Sequence, residues 1–487
     1  FQTVLYEGNG TGQRVGAFQP FDNSFTVAKS ALFNVVNDEY FSRTFETPTD
    51  QDVWTLSWWM KTGNLAAGRG VFASAALNSS IIYINNVKIY IVFNGSYGFN
   101  FPLDDSSQWY NIILTCNGST LTCYVNGVSR GTSSVAMGDF NSAVAHTIGS
   151  YNGDESHFDG YMADFVFVDG AVHSTSVFGQ TDTSTNRWIP KDPTITLDEA
   201  SDFGNNGFYL NFADSSALGD DISGNNHDFT NNNTVTQSTD SPTTNFNTYD
   251  PNESSGTFST GNTISLAGNN SINIGTLPLH SGKWVFEATG TTASLSAHFV
   301  GVAGPLMPTG NGGTQGGLSD GYMLQNDANL FIDGVDSGAN ASATWTTNDV
   351  IRCEIDRDNH TLQWFKNGSS ILSITNVYDK NWRTCTSYAT FMATTMNSGA
   401  TAFAQTPTTG FIAISQDNLA GTDQFISAFS WIKNRDATDA HMLFDRVRGA
   451  TKDMHSNSAT AEVTNVNTVQ SFLEAGVQVG NDVQVNT

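Results

Sequence analysis

Two stretches of equal length, NGSTLTCYVNG at residues 117–127 and DNHTLQWFKNG at 358–368, set the strongest limit on what this chain can fold into. Both carry Thr, Leu, Asn and Gly in matching places, and both run from a turn through a short arm into a closing Asn-Gly pair. Asn-Gly beside alternating arms is the signature of a tight, twisted turn between antiparallel strands. The same pattern extends well beyond these two arms. VWTLSWWMKT (53–62) alternates, IIYINNVKIYIVFNG (81–95) makes two arms around Asn85-Asn86, and QWYNIILTC (108–116) meets LTCYVNGV (121–128) across the first turn. HTIGSYN (146–152) and FDGYMADFVFVDG (158–170) follow, and the latter closes on an Asp169-Gly170 turn. Short strands at this spacing predict a two-sheet sandwich.

Composition agrees. Charged residues are only 14% of the chain, and long stretches rich in Ala, Glu, Lys and Leu are absent. Thr and aromatics favour strands while Asn and Gly favour turns, so the class is all-β. At 487 residues the chain exceeds one ordinary core, and three or four domains are expected. Twenty Lys and Arg against 46 Asp and Glu leave a formal charge of −26. A surface this acidic is repelled by phosphate backbones, so no nucleic-acid partner is expected. The acidic residues read as a solvated surface. No apolar run approaches the roughly 18 residues of a membrane helix, so no membrane insertion is expected. Four cysteines make no disulfide framework. Cys116, Cys123, Cys353 and Cys385 are expected as free, buried thiols, which fits assembly in a reducing cytoplasm.

Five segments follow from the pattern. Residues 1–22 form an N-terminal segment and 23–178 the first strand-rich block. Residues 179–255 are dominated by Asn, Asp, Thr, Ser and Pro, with one strand-like run, GFYLNFA (207–213), and aromatic anchors at Trp188, Phe208, Tyr209 and Phe229. This connector is expected to be ordered against its neighbours. A second strand-rich block, 256–408, holds GKWVFEATG (282–290), HFVGVAG (298–304), GYMLQ (321–325), NDVIRCEIDRDNHTLQWFKNG (348–368) and YATFMATT (388–395). Its GNGGTQGG (310–317) lacks the Lys-Ser/Thr of a phosphate loop, which argues against nucleotide binding. The last block, 409–487, carries FSWIKN, an echo of LSWWMKT, and stops mid-pattern in VQVGNDVQVNT. A partial β domain is expected there, continued beyond this point or completed by another subunit.

DSSQWYNIILTCNGSTLTCYVNG followed by FDGYMADFVFVDG resembles a laminin-G or concanavalin A-like lectin domain. GKWVFEATG, FVGVAG and DVIRCEIDRDNHTLQWFKNG resemble a SPRY (B30.2) domain. The phrases RWIPKDP, NGFYLNFADSS, DDISGNNHDFT and FSWIKNRDATDAHMLFDRVRGATK are similar to structural proteins of marine bacteriophages, found in tails or on virion surfaces. The resemblance spans nearly all the chain outside the N-terminal segment. It implies tandem jelly-roll-like β-sandwiches, concanavalin A-like and then SPRY-like, joined by a long connector and followed by the partial C-terminal β domain.

Several residues look chemical. CEIDRDN (353–359) is similar to the Glu-x-Asp-x-x-Glu strand of concanavalin A-like glucanases, with Glu354 and Asp356 in the first two places. The second Glu is missing, and Arg357 and Asp358 follow instead. A retaining glycosidase needs carboxyls about 5–5.5 Å apart, which a short Asp at a turn does not obviously supply. Turn chemistry is expected for Asp356 and Asp358, and no catalytic residue is assigned. Asp154, Glu155 and Asp159 lie between two strands of the lectin-like block, where that family often places a rim calcium, and are the candidate metal ligands. Asp220, Asp221 and Asp228 form a second oxygen-rich set. Calcium takes six to eight oxygens and neither stretch has EF-hand spacing, so no cofactor is expected, with Ca²⁺ the ion these carboxylates would suit. No His or Cys pair stands at zinc spacing, and no Gly-x-Ser-x-Gly elbow occurs. His157, His173 and His227 read as solvated loop residues. Trp58 and Trp59 point to opposite faces of one strand. One belongs to the core; the other could stack on a sugar ring but is read as covered by a further layer. Leu121 and Leu362 are expected in the cores, each worth about 1.5–3 kcal/mol if fully buried.

These expectations, with the phage resemblance, describe a non-enzymatic virion surface protein. It would be a tail or capsid fibre component, assembled in the host cytoplasm, adhering to a host surface glycan or protein through its sandwich loops. Copies on one particle multiply weak affinities. Other virion proteins are expected partners, and the resemblance implies a homo-oligomer, a trimer if the protein is a fibre. One alternative is a purely structural virion component, a capsid decoration or tail-assembly part. The other, a glycan depolymerase, is disfavoured by the incomplete carboxylate pattern.

Overall fold

The structure, a computed structural model, describes the chain outside residues 1–24, 64–67, 75–79, 86–87, 95, 104, 135, 137, 152–155, 183–186, 252–253, 255–256, 266–270, 280, 292–296, 309–317, 379, 389–392, 421–428, 446–447, 474–475 and 486–487. The N-terminal segment 1–22 and the Gly-rich 310–317 therefore lie outside the described residues. The described residues divide into two compact units, one within 25–179 and 190–418, the other within 180–189 and 419–485. Among the described residues only Ala200–Phe203 and Gln416–Ala420 are α-helical.

In the larger unit, Val53–Thr62 runs through the middle of an eight-stranded sheet, between Tyr110–Asn117 and Gly160–Asp169. A seven-stranded sheet shares its core, so that Trp54, Leu56, Trp58, Ile112 and Leu114 of the first pack with Phe72, Ile82, Ile84, Ile89 and Ile91 of the second. Asn126 and Gly127 both take positive φ (48° and 74°), as do Asn367 and Gly368 (47° and 88°). This type I′ geometry explains why Asn-Gly recurs. The leading turns differ: residues 118–119 alone join Asn117 to Thr120, whereas 357–360 join Asp356 to Thr361. Cys116 faces Leu121 and Cys123 faces Leu114, and all four cysteines are free and buried.

Three short strands of the connector are built into the first sandwich. Thr230–Asn232 lengthens the seven-stranded sheet beside Tyr40–Thr44, and Thr236–Ser238 lengthens the eight-stranded sheet beside Ser30–Phe33. Phe208–Leu210 pairs with Gly160–Asp169, and the Phe208 and Phe229 rings meet edge to face at 4.7 Å.

The second sandwich sets a sheet centred on Lys283–Gly290 and Val350–Asp356 against a six-stranded sheet centred on His298–Ala303. Buried Trp364 ties the two, its indole N–H donating to the Val300 carbonyl at 2.9 Å. Residues 404–408 cross the outer face of the first of these sheets, and Ile412–Ala413 then pairs in parallel with Lys283–Gly290.

The two sandwiches of this unit meet over polar groups. Met60 points into the first core, so the next residue, Lys61, faces away from it. It is nevertheless fully buried, and its Nζ donates to Asp240 Oδ2 at 2.9 Å, Asn245 Oδ1 at 2.9 Å and the Phe246 carbonyl at 2.6 Å. Tyr161 on the same face donates its hydroxyl to the Thr260 carbonyl and accepts from Asn262 Nδ2. A Cβ on Gly63 would stand 2.4 Å from the Gly261 backbone nitrogen, so this close approach requires glycine. In the smaller unit, Phe429–Ile432, Met442–Asp445, Lys452–His455 and Val463–Thr464 form one sheet, with a core of Met442, Phe444, Ala450, Val469 and Phe472.

Leu121 and Leu362, the matched leucines of the two stretches, are both fully buried, each in its own sandwich. Replacing either by Ala is expected to cost about 2–5 kcal/mol, read as a lower urea midpoint. Exposed Thr120→Ala in the same arm is expected to stay within about 0.5 kcal/mol of the parent.

Candidate functional site

The carboxylates of CEIDRDN hold the fold together. Glu354 is buried on the outer face of its sheet, where it pairs with Arg352 Nε at 3.1 Å and accepts the Thr408 N–H at 2.7 Å. Glu287 on the neighbouring strand accepts the Ala404 and Gln405 N–H groups, and Arg352 lies 3.9 Å over the Phe365 ring. Asp356 caps its own turn, accepting from the Asp358 and Asn359 N–H groups and from Asn359 Nδ2, and pairs with Lys283 at 3.0 Å. Asp358 accepts from the Gly282 N–H. Asp356 performs the expected turn chemistry, while Asp358 ties that turn to the start of a neighbouring strand.

Of the acidic candidates, those among the described residues are engaged in the fold's own hydrogen bonds. Asp154 and Glu155 lie outside the described residues. Asp159 is buried, its Oδ1 accepting the Thr260 N–H at 2.6 Å and its carbonyl the Gly63 N–H at 3.0 Å, so it serves the contact between sandwiches. Asp221 accepts four donors, the N–H groups of Tyr209, Ser223 and His227 and the Ser223 hydroxyl, and Asp228 accepts the Asp221 N–H. Among the described residues no group of three His, Cys, Asp or Glu is placed to hold a metal ion. The reading of the acidic residues as a solvated surface needs correction: Asp159, Asp169, Asp221, Asp240 and Glu354 are buried. The histidine expectation fails similarly. His157 is buried beside Asp38 at 3.1 Å and the Tyr40 ring, His227 Nδ1 bonds the Gly207 carbonyl at 2.9 Å, and His173 is half-buried. Loop position gave no hint of this, because the loops themselves pack on the sheets. Trp58 and Trp59 are both buried, Trp58 against Phe165 in the core and Trp59 on the covered outer face.

Among the described residues of the two sandwiches, two partly exposed aromatic sites stand out. Pairing of Ile81–Asn85 with Lys88–Phe93 turns Ile82, Ile84, Ile89 and Ile91 inward and sets Tyr83 and Tyr90 side by side on the opposite, partly exposed face. Their rings stack at 5.2 Å and 17°, both half-buried, with exposed Asn100 next in the row and Asn85 and Lys88 one step along. No expectation from sequence falls on these tyrosines, although IIYINNVKIYIV carries them at mirrored positions about its turn. The second site is on the other sandwich. Lys380 pairs with Asp320 and lies over the Tyr378 and Trp382 rings at 5.9 and 5.5 Å. Asp320 also accepts the N–H of Leu306, which is 81% exposed, and Tyr378 is 53% exposed. Exposed apolar side chains around a fixed ion pair are the makings of a protein-binding surface.

Three family profiles match the chain: the concanavalin A-like lectin/glucanases superfamily over residues 37–178, the SPRY domain over 283–405, and a domain of unknown function, DUF7483, over 403–487. The chain thus carries a laminin-G/concanavalin A-like lectin domain followed by a SPRY domain. No curated protein matches it. Among solved structures, the SPRY domain of human HERC1 is 17% identical, with a TM-score of 0.28, covering 32% of this chain and 99% of that one. A heptameric SAP-like pentraxin from Limulus polyphemus is 18% identical, with a TM-score of 0.25, covering 31% and 80%.

His146 in the first sandwich and His298 in the second are fully buried. His146 stacks on Phe45 at 3.8 Å and bonds the Val144 carbonyl through Nδ1; burial pushes it down to about 4. His298 Nδ1 accepts the Trp345 indole N–H at 3.1 Å, and burial pushes it down to about 4 as well. Both fold uncharged and take up a proton near pH 6.5 only when unfolded. Their stabilising contribution is therefore full above that pH and is lost as pH falls toward 4, by roughly 2 kcal/mol each between pH 7 and pH 5. Urea midpoints at the two pH values should differ less in His146→Gln and in His298→Gln than in the parent, whatever each variant's stability at pH 7.

Proposed function

We propose that this chain is a non-enzymatic recognition protein of a bacteriophage virion surface, a tail or capsid fibre component that adheres to a host surface glycan. The observation that carries the reading is the half-buried Tyr83–Tyr90 row on the outer face of the lectin-type sandwich. Half-buried rings beside exposed Asn100 offer an apolar face and an amide together, which is the pairing a sugar ring requires. The hydrogen bonds that occupy Glu354, Asp356 and Asp358 support a role without catalysis. The virion setting rests on the phage-like phrases of the connector and of the last block. Oligomerisation, as a trimer if the protein is a fibre, would raise avidity by presenting several such rows at once.

A second reading is favoured by Leu306 and Tyr378 around the Lys380–Asp320 pair. That surface suits a protein partner, and in this reading the chain is a structural virion component bound to other virion proteins.

Host-cell and glycan-array binding by the purified chain separates the readings. Tyr83→Ala with Tyr90→Ala is expected to weaken binding about tenfold, or about 1.4 kcal/mol, in a chain that stays folded and loses only the modest stability of one cross-strand aromatic pair. Equal binding by the variant removes glycan recognition from this face. Leu306→Asp with Tyr378→Ala should leave cell binding intact; if it abolishes association with other virion proteins while the tyrosine variant changes nothing, the structural role stands instead. Chelation of divalent cations is expected to leave binding and melting temperature unchanged, since no cofactor is assigned.

A further inference from the structure

We propose that Lys61 and Asn245 condense into an intramolecular isopeptide bond, with Asp240 as the proton carrier, so that the first sandwich is covalently tied to the segment leading into the second. Lys61 Nζ lies 2.9 Å from Asn245 Oδ1 and 2.9 Å from Asp240 Oδ2, and all three residues are buried. Amine, carboxamide and carboxylate are thus held together away from water. Holding reactants in contact replaces a rare encounter by a near-unimolecular step, and excluding water removes competing hydrolysis.

The surroundings fix each group. Asn245 is anchored by its backbone, its N–H donating to the Ser241 carbonyl at 2.8 Å and its own carbonyl accepting from the Gln416 N–H at 2.9 Å. Its Nδ2 donates to the Ser107 carbonyl and to Gln416 Oε1, which turns the carboxamide oxygen and carbon toward the amine. Asp240 Oδ1 accepts from Trp109 Nε1 at 3.1 Å and from the Phe246 N–H at 3.3 Å, leaving Oδ2 for Lys61. The Tyr161 ring closes the site 5.7 Å from Nζ. Burial pulls the lysine below its ordinary range, with the Asp240 carboxylate opposing, and so favours the free amine that the reaction needs.

The step balances without an oxidant or cofactor. Asp240 takes a proton from the Lys61 ammonium, and the freed Nζ lone pair attacks Cγ of Asn245. The Cγ–Nδ2 bond breaks, the proton held by Asp240 passes to Nδ2, and ammonia leaves as ammonium with the remaining proton. An amine and a carboxamide become one secondary amide.

Denaturing intact-mass measurement of the full chain is expected to show a deficit of one ammonia, and proteolytic mapping a branched peptide joining the segments around Lys61 and Asn245. The bond closes a loop spanning 184 residues, so the chain should migrate faster than its Asn245→Ala variant in a denaturing gel. Asn245→Asp should lose water instead of ammonia. Asp240→Ala should retain full mass, and if it fails to fold the parent mass still decides. Full sequence mass for the folded parent overturns the proposal and leaves Lys61 an ammonium satisfied by three acceptors. A deficit mapped to Asn126-Gly127 or Asn367-Gly368, where Asn-Gly can close to a succinimide, overturns it equally.

Discussion

An amine that cannot reach water governs the larger unit. Taking an ammonium out of solvent costs several kcal/mol unless its donors are satisfied, and Lys61 finds its acceptors only where separate parts of the chain converge. Asp240, Asn245 and Phe246 come from the connector, while Trp109 and Ser107 from the first sandwich and Gln416 from beyond the second hold those acceptors in place. The outer face of the central strands Val53–Thr62 and Gly160–Asp169 is therefore an interior surface. That is why Val53–Thr62 is buried along nearly its whole length, where a sandwich open to water on one side would alternate.

Strand pairing and the cores could be read from the residues because their causes are local. Alternation selects the inward face, and Asn-Gly selects the turn, so Leu121 and Leu362 were placed by spacing alone. The connector strands were not visible in this way. TNN at 230–232 and TQS at 236–238 have no apolar alternation, since each is a short strand added to the edge of an existing sheet. Lys61 is hidden for a different reason. A lysine near the end of LSWWMKT reads as solvated, and its carboxylate partner stands 179 residues away in a polar stretch.

The candidate site divides along the same line. Tyr83 and Tyr90 sit at mirrored places in one hairpin, so the signal was present, though hidden among flanking isoleucines that dominate the pattern. Leu306 and Tyr378 are brought near Lys380 and Asp320 only by the tertiary fold, and no periodicity links them. The acidic residues teach the opposite lesson, because a negative charge count invites a surface reading. Asp169 alone accepts the N–H groups of Thr49, Asp50 and Asn206 and the amide of Asn141. Carboxylates such as this one act as connectors for backbone that no sheet ladder reaches.

The short strands at 230–232 and 236–238 give the first sandwich one edge strand on each of its sheets. During synthesis, then, the sandwich has all its central strands before it has two of its four borders. Until the chain has grown past residue 238, the strands Ser30–Phe33 and Tyr40–Thr44 lie at open sheet edges, where a neighbouring nascent chain can pair instead. Assembly in several copies would sharpen that hazard. The connector is thus a late-arriving clasp whose place in the sequence sets when the domain becomes safe from its own kind.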